Sequence, residues 1–146
     1  MRKQKGKNIL TQSEMEIMNI VWASGRDITV RDVLEQMPEP RPAYTTVGTF
    51  MKILTEKGAL EAKKHEGDGK TLYYAPLLGK VEYKKRFLEL IKRQLFDGSI
   101  KSLVSFFVEE EEISREELIE YLEELKSLTP ASPKGEELLR EINSVQ

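Results

Sequence analysis

Cysteine is absent from this 146-residue chain, and histidine occurs only once, as His65. The lack of cysteine excludes disulfides, thiolate zinc sites and cysteine nucleophiles. A single histidine cannot provide a pair of imidazole ligands for a metal ion, and we do not expect it to belong to a Ser-His-Asp triad. We therefore expect no metal, no cofactor and no catalytic residues, and an enzyme is the least expected class of protein.

Long apolar runs are also absent. None approaches the roughly 18 consecutive apolar residues that indicate a membrane-spanning helix. The N-terminal residues MRKQKGKNIL lack the apolar core of a signal peptide. We therefore expect a cytoplasmic protein without membrane insertion.

The net charge of −2 is unevenly distributed along the chain. Residues 1–93 contain 18 Lys and Arg against 12 Asp and Glu, whereas residues 94–146 contain 5 against 13. The first part therefore suits a polyanion such as a nucleic acid. Charge alone leaves open the alternative of an ordinary surface, with an acidic end that keeps a dimer soluble.

The stretch from Ala43 to Gly58 predicts an amphipathic helix that ends at Gly58. Its apolar stripe consists of Val47, Phe50, Met51 and Leu54. Its opposite face consists of Thr45, Gly48, Thr49, Lys52 and Glu56. A solvated face would favour residues with better helix propensity, and Gly48 costs about 1 kcal/mol relative to alanine. We infer that a partner backbone approaches this face closely.

Two further helices are predicted before this one. Thr11 and Glu14 form a capping box with Leu10 and Met15 as its hydrophobic staple. The buried stripe that follows is predicted to contain Met15, Met18, Val21 and Trp22. Thr29 and Asp32 form a second capping box, and the helix it begins is stopped by Pro38, Pro40 and Pro42. The second and third helices are thus joined tightly, as in a helix-turn-helix.

A β-hairpin is predicted after Gly58, with strands over residues 59–64 and 70–75 around the turn HEGDG. Its projecting part is basic and carries Lys63, Lys64, His65 and Lys70. His65 is expected to be a solvated or phosphate-near loop residue. Three helices followed by a basic hairpin predict a winged helix.

Three short amphipathic helices are predicted between Gly79 and Leu128, with more apolar surface than the preceding domain can cover. Because two-fold closure is the commonest oligomeric arrangement, we expect a homodimer, with intramolecular packing of the three helices as the alternative. The expected dimerisation residues are Phe87, Leu88, Ile91, Leu95, Leu103, Val104, Phe107, Leu118, Leu122 and Leu125.

The predicted fold class is mainly α with a small β-hairpin, an N-terminal winged helix-turn-helix followed by a helical dimerisation region. The predicted divisions are a flexible basic arm at 1–8, a winged-helix DNA-binding domain at 9–78, the dimerisation region at 79–128, and a linker with a weakly helical tail at 129–146.

The order of four motifs resembles the penicillinase repressor family, which includes the methicillin-resistance and copper-responsive repressors. The motifs are LTQSEMEIMNIVW, TVRDVLEQM, YTTVGTFMKILTEKGALEAKK and FDGSIKSLVSFFVEEEEISREELIEYLEEL. The resemblance implies a homodimeric winged-helix repressor that binds an operator dyad. In the β-lactam branch, an upstream membrane sensor with a zinc protease domain leads to cleavage of the repressor in its dimerisation part.

Transferred by position, the resemblance implies a recognition helix at Tyr44–Glu56 and a cleavage position at Phe106 and Phe107. The resistance repressors have an asparagine before the phenylalanine, where this chain has Phe106. The copper-responsive branch binds metal through C-terminal cysteines that this chain lacks, so a copper or zinc inducer is not expected.

The predicted function is repression through helix 43–57 in the major groove and a basic wing on the phosphates. The expected DNA-contacting residues are Tyr44, Thr45, Thr46, Gly48, Thr49, Lys52, Lys63, Lys64 and Lys70. The alternative is a winged-helix protein-protein interaction module without sequence-specific DNA binding. A regulator with a small-molecule pocket is a weaker alternative, because no polar cluster marks such a pocket.

Overall fold

The computed structural model describes residues 9–128, so the predicted basic arm and the predicted linker and tail lie outside the described residues. The described elements are α1 (Gln12–Ser24), α2 (Val30–Gln36), α3 (Tyr44–Glu56), β1 (Leu60–Lys64), β2 (Leu72–Pro76), α4 (Lys80–Leu95), α5 (Ile100–Glu110) and α6 (Arg115–Leu128). The chain divides into two compact units, with the boundary between Leu88 and Glu89.

The predicted fold class is confirmed, because six helices and one two-stranded antiparallel sheet make up the described chain. The strands begin one or two residues later than predicted, with Lys64 opposite Leu72 and Leu60 opposite Pro76. Ile28 adds a short bridge that the sequence did not predict, since it exchanges backbone hydrogen bonds of 2.7 and 3.0 Å with Tyr74. The wing is thereby joined to the segment between α1 and α2.

The core of the first unit is built from one face of each of its helices and from the base of the hairpin. Its most completely buried side chains are Ile17, Met18, Val21, Ile28, Val33, Val47, Met51, Leu54 and Leu60. The predicted stripe of α3 is confirmed, with Phe50 only partly buried. The predicted stripe of α1 is partly wrong, because Ile17 occupies the core while Met15 and Trp22 lie at its margin.

Local hydrogen bonds define the helix ends as predicted. The amide of Thr11 donates to Glu14 over 2.9 Å, and the Glu14 amide donates to the Thr11 hydroxyl over 3.2 Å. Thr29 and Asp32 form the same reciprocal pair. At the end of α3, Gly58 has a φ of 83° and its amide donates to the Thr55 carbonyl, which completes a glycine-type helix stop.

A buried ion pair connects the start of α1 to the end of α3. The Glu14 side chain is 3% exposed, and its Oε1 lies 2.7 Å from Lys57 Nζ. Burial by itself would raise the pKa of Glu14, but the hydrogen bonds from Lys57 and Thr11 and the charge of Lys57 together lower it below its usual 4.5. Glu14 therefore stays ionised and joins two segments that are far apart in the chain.

A second cluster fixes the outer face of the wing. The rings of His65 and Tyr73 stack at 3.7 Å with an interplanar angle of 5°, and His65 Nε2 lies 2.9 Å from Asp27 Oδ2. The Tyr73 hydroxyl donates to Asp68, which raises the pKa of the phenol and keeps it protonated. His65 is a loop residue as expected, and its side chain is 40% exposed, but its ring is also held between the hairpin and the segment before α2. Its nearness to a phosphate stays a prediction.

The first part of α4 belongs to the first unit. The Tyr83 hydroxyl accepts a hydrogen bond of 3.1 Å from the Leu10 amide, and its ring lies 6.0 Å from that of Trp22. The Trp22 indole in turn donates to the Leu78 carbonyl over 2.8 Å. Tyr83 is therefore a core residue of the first unit.

The second unit contains the end of α4 together with α5 and α6. Ser99 caps α5 by accepting from the Ser102 amide, and Ser114 and Glu117 form a capping box before α6. None of residues 89–126 is buried. Within the described chain, no helix combines the length and apolar character needed to cross a membrane.

Replacing Glu14 with alanine should destabilise the protein by about 2–4 kcal/mol, because it removes both a helix cap and one partner of a largely buried ion pair. Glu16→Ala, an exposed change on the same helix, is the matched control and should stay within about 0.5 kcal/mol of wild type. Urea unfolding monitored by circular dichroism measures both. Equal free energies of unfolding for the two variants would contradict the assigned role.

The wild-type advantage over Glu14→Gln should also depend on pH. Because the folded pKa of Glu14 is lowered, its contribution is fully present above the unfolded value near 4.5 and is lost as pH falls through the folded value.

Replacing His65 with alanine should loosen the hairpin without unfolding the helices, because it removes a ring stack and a hydrogen bond of about 1 kcal/mol each. Hydrogen exchange should accelerate at the β1 and β2 amides and stay unchanged at the buried turns of α1. Glu66→Ala, an exposed neighbour in the same turn, is the control. Unchanged hydrogen exchange in the hairpin of the His65 variant would show that the contacts of His65 with Tyr73 and Asp27 do not stabilise the hairpin.

Candidate nucleic-acid interface

The outer face of α3 is directed away from the core along its whole length. Its residues Thr45, Thr46, Thr49, Lys52 and Glu56 are exposed, because the stripe through Val47, Met51 and Leu54 occupies the buried side. Tyr44, the first residue of the helix, is 49% exposed. The side chains that the sequence placed on one face are therefore on one accessible surface.

Gly48 lies on this surface, and no packing within residues 9–128 requires a glycine there. A Cβ atom placed on Gly48 would meet no heavy atom within 4 Å. Its backbone is helical and needs no positive φ, so alanine would fit the folded chain. The departure from helix propensity at Gly48 therefore has no explanation among the intramolecular contacts of the described residues. Ile53, unlike the exposed threonines of α3, is half-buried.

The hydroxyl of Thr49 is already committed as a donor. Its Oγ1 donates to the carbonyl of Thr45, one turn earlier, over 2.9 Å. The oxygen can still accept a hydrogen bond from outside, and the methyl group is available for apolar contact. The geometry thus limits Thr49 to recognising a donor or a methyl group.

The predicted cations differ in whether an acid neutralises them. Lys52, Lys64 and Lys70 are exposed, and within residues 9–128 none of them has a carboxylate at ion-pair distance. Lys63 Nζ instead lies 3.9 Å from Asp27 Oδ1, on the strand face that also carries Tyr73. Lys63 is therefore a weaker candidate for a polyanion than its neighbour Lys64.

One cation was missed by the sequence reasoning. Arg31 lies in the first turn of α2, is exposed, and places its guanidinium carbon 5.4 Å from the centre of the Tyr44 ring. This distance is within the range of a cation–π contact. A local sequence signal is lacking, because Arg31 and Tyr44 belong to different helices and meet only through the turn between them.

The expected dimerisation residues remain accessible. Leu95 is 72% exposed, Phe107 54% and Leu125 56%, and α5 contains no buried residue at all. Leu103, Val104, Leu118 and Leu122 are half-buried. The suggested cleavage position is also accessible, since Phe106 is 52% exposed, although it lies inside the helical turns of α5 and its ring is 5.6 Å from that of Phe96.

Known proteins resemble this chain over most of its length. Over 120 residues the chain is 28% identical to the methicillin resistance regulatory protein MecI of Mammaliicoccus sciuri, and the alignment covers 82% of this chain and 91% of that protein. Over 122 residues it is 25% identical to the penicillinase repressor of Bacillus licheniformis, and the alignment covers 81% of this chain and 92% of that protein.

A family model also matches this chain. The model of the penicillinase repressor family matches residues 10–127, from the residue before the first capping box to the last turn of α6. The match reaches into both units and covers every described helix and strand except the last residue of α6. The chain therefore belongs to the penicillinase repressor family of transcriptional repressors.

Proposed function

We propose that the protein is a homodimeric repressor that binds an operator dyad, with helix 43–57 of each protomer in the major groove. The observation that carries this proposal is the outer face of α3, where exposed threonine hydroxyls surround a half-buried glycine that no contact among the described residues explains. A helix of this kind fits the width of the groove. Lys52 beside it, with Lys64 and Lys70 of the wing, would contact phosphates.

Sequence readout in this proposal relies on small groups. Thr45 and Thr46 can reach base edges or phosphates, and Thr49 can accept from a base amine or contact a thymine methyl. Gly48 allows the helix backbone to approach the sugar-phosphate wall. Because contacts of this type discriminate weakly one at a time, specificity has to come from two half-sites at a fixed spacing, near a multiple of about 10 bp.

The exposed apolar surface supports dimerisation by residues 79–128. Phe87, Leu88 and Ile91 continue along α4 toward Leu95, and α5 and α6 add the half-buried and exposed residues described above. A second copy of the same surface would cover them in a two-fold interface. The winged-helix domain at 9–78 would then be held at the spacing that the operator demands.

Release of the DNA by proteolysis is part of the same proposal. A cut between Phe106 and Phe107 would divide α5 and weaken the dimer without altering α3. Because both residues lie within a helix, the segment would have to unwind locally before a protease could bind it. An upstream membrane sensor-protease system is the partner that this mode of induction would require.

Tight binding to a dyad from the chain's own upstream region is the expected result in fluorescence anisotropy, with much weaker binding to a scrambled duplex. The affinity for the dyad should fall steeply with salt, because Lys and Arg displace counterions. Thr49→Glu should abolish binding by placing a carboxylate against the DNA. Asn19→Asp, which adds one negative charge on exposed α1, should bind like wild type.

The dimer requirement is tested in the same assay with Leu125→Asp. Sedimentation should then report a monomer, and dyad binding should be lost while the first unit stays folded. Equal and weak binding of wild type to both duplexes would refute operator recognition and favour a protein-protein interaction module.

Replacing Gly48 with alanine should have opposite effects on stability and on DNA binding. The folded state should gain about 0.5–1 kcal/mol, because alanine is the better helix former and its Cβ meets nothing in the chain. Operator affinity should fall, because the same Cβ would lie against the DNA. Thermal unfolding and anisotropy measure the two effects.

Gly79→Ala, at another glycine with open space around it and no positive φ, is the control and should leave operator affinity unchanged. Full operator affinity in the Gly48 variant would show that the helix backbone does not approach the DNA closely.

A further inference from the structure

Among the described arginines of the first unit, Arg31 differs from Arg26, Arg41 and Arg86 in having no acidic partner. Arg26 lies 3.6 Å from Asp32, and Arg86 lies 2.8 Å from Glu82. Arg41 lies 3.7 Å from Glu39 and also donates to two backbone carbonyls. In the described part of the chain, no carboxylate lies within ion-pair distance of Arg31, so its full charge is presented to solvent.

The Tyr44 ring takes the place of an acidic partner. With the guanidinium carbon 5.4 Å from the ring centre, Arg31 is attracted to the ring without any of its N–H groups being used as hydrogen-bond donors. A planar guanidinium can present two parallel N–H groups to a phosphate while it rests on an aromatic ring. Holding the side chain in this way also reduces the entropy lost on binding.

The position of the pair relates it to DNA. Tyr44 is the first residue of α3, and Arg31 lies on the helix that precedes α3 in the helix-turn-helix. In that motif, the first helix crosses the sugar-phosphate backbone while the second enters the major groove. A cation on α2 beside the start of α3 would therefore lie near the phosphates that border the groove.

We propose that Arg31 binds a backbone phosphate in each half-site and that Tyr44 is the positioning residue that holds the guanidinium ready for it. The inference rests on the proposed operator binding and adds to it a contact on α2, outside the recognition helix and the wing. Tyr44 then acts through its ring, and its hydroxyl is dispensable.

A salt titration with Arg31→Gln tests this inference on the full-length protein. Losing one phosphate contact per half-site should reduce the slope of log affinity against log salt by about 1.8 for the dimer. The affinity lost between about 50 and 200 mM salt should therefore shrink roughly tenfold. Because phosphates carry no sequence information, the slope should change similarly on the dyad and on a scrambled duplex.

Arg86→Gln is the matched control for charge, since it removes an arginine that is paired with Glu82 on α4. Its slope should remain close to that of wild type. Arg31→Lys should keep most of the slope but bind more weakly, because lysine lacks the planar pair of donors. Both arginines are exposed, and equal thermal midpoints should verify that each of the three variants is folded.

The positioning role of Tyr44 is tested by a double-mutant cycle. Tyr44→Phe keeps the ring and should retain the salt slope of wild type, whereas Tyr44→Ala should weaken binding and lower that slope. In the Arg31→Gln background, Tyr44→Ala should have little further effect, because the cation that it positions is gone. A merely structural contribution of the tyrosine would lower stability without changing the slope.

The outcomes separate this inference from the proposed function. If wild type binds the dyad with a steep salt dependence and Arg31→Gln has the same salt slope as Arg86→Gln, the inference is overturned and the proposed function stays intact. Loss of binding in Tyr44→Phe would overturn the positioning role, since the hydroxyl would then be required. Absence of salt-dependent binding by wild type to either duplex would overturn both.

Discussion

The carboxylate of Glu14 connects the start of α1 to the end of α3 and so fixes the position of α3. It accepts from the Thr11 amide at the start of α1 and from the Lys57 ammonium just after the last residue of α3. The side chain is only 3% exposed, and hydrogen bonds from the Thr11 amide and the Lys57 ammonium to Oε1 compensate its lost hydration. The position of α3, and with it of the proposed DNA-binding face, therefore depends on an ion pair that lies outside that face.

Local acidic residues decide which cations of the first unit remain available to a partner. Asp27 engages both Lys63 and His65, and Asp32 combines its capping role with an ion pair to Arg26. These basic side chains serve the fold of the wing and of α2. Cations without such neighbours are left with their charge unopposed, so basic composition overstates the surface that is available for phosphate binding.

Features that depend on neighbours three or four positions apart were predictable from the sequence. The capping boxes of Thr11 and Thr29 and the two faces of α3 follow from local spacing. The bridge between Ile28 and Tyr74 was not predictable, because the two residues are brought together only by the completed fold. Its short extended segment has no periodicity of its own.

The features of the candidate site likewise divide into those that local spacing predicts and those that depend on the completed fold. The exposed threonines of α3 were predicted, since helical periodicity alone places them opposite the core. The internal hydrogen bond of Thr49 and the pairing of Lys63 with Asp27 were missed, because they depend on rotamers and on tertiary distances. Arg31 was missed for the same reason. Composition shows how many cations exist, whereas only the fold shows which of them are already neutralised.

The absence of any buried side chain among residues 89–126 has a consequence for the proposed dimer. A region that has no interior as a single chain would gain its interior from assembly, so its folding free energy would depend on protomer concentration. Occupancy of DNA by the proposed dimer would vary with the square of the chain concentration at low abundance. Modest dilution, as in a growing and dividing cell, would then lower repression more than proportionally.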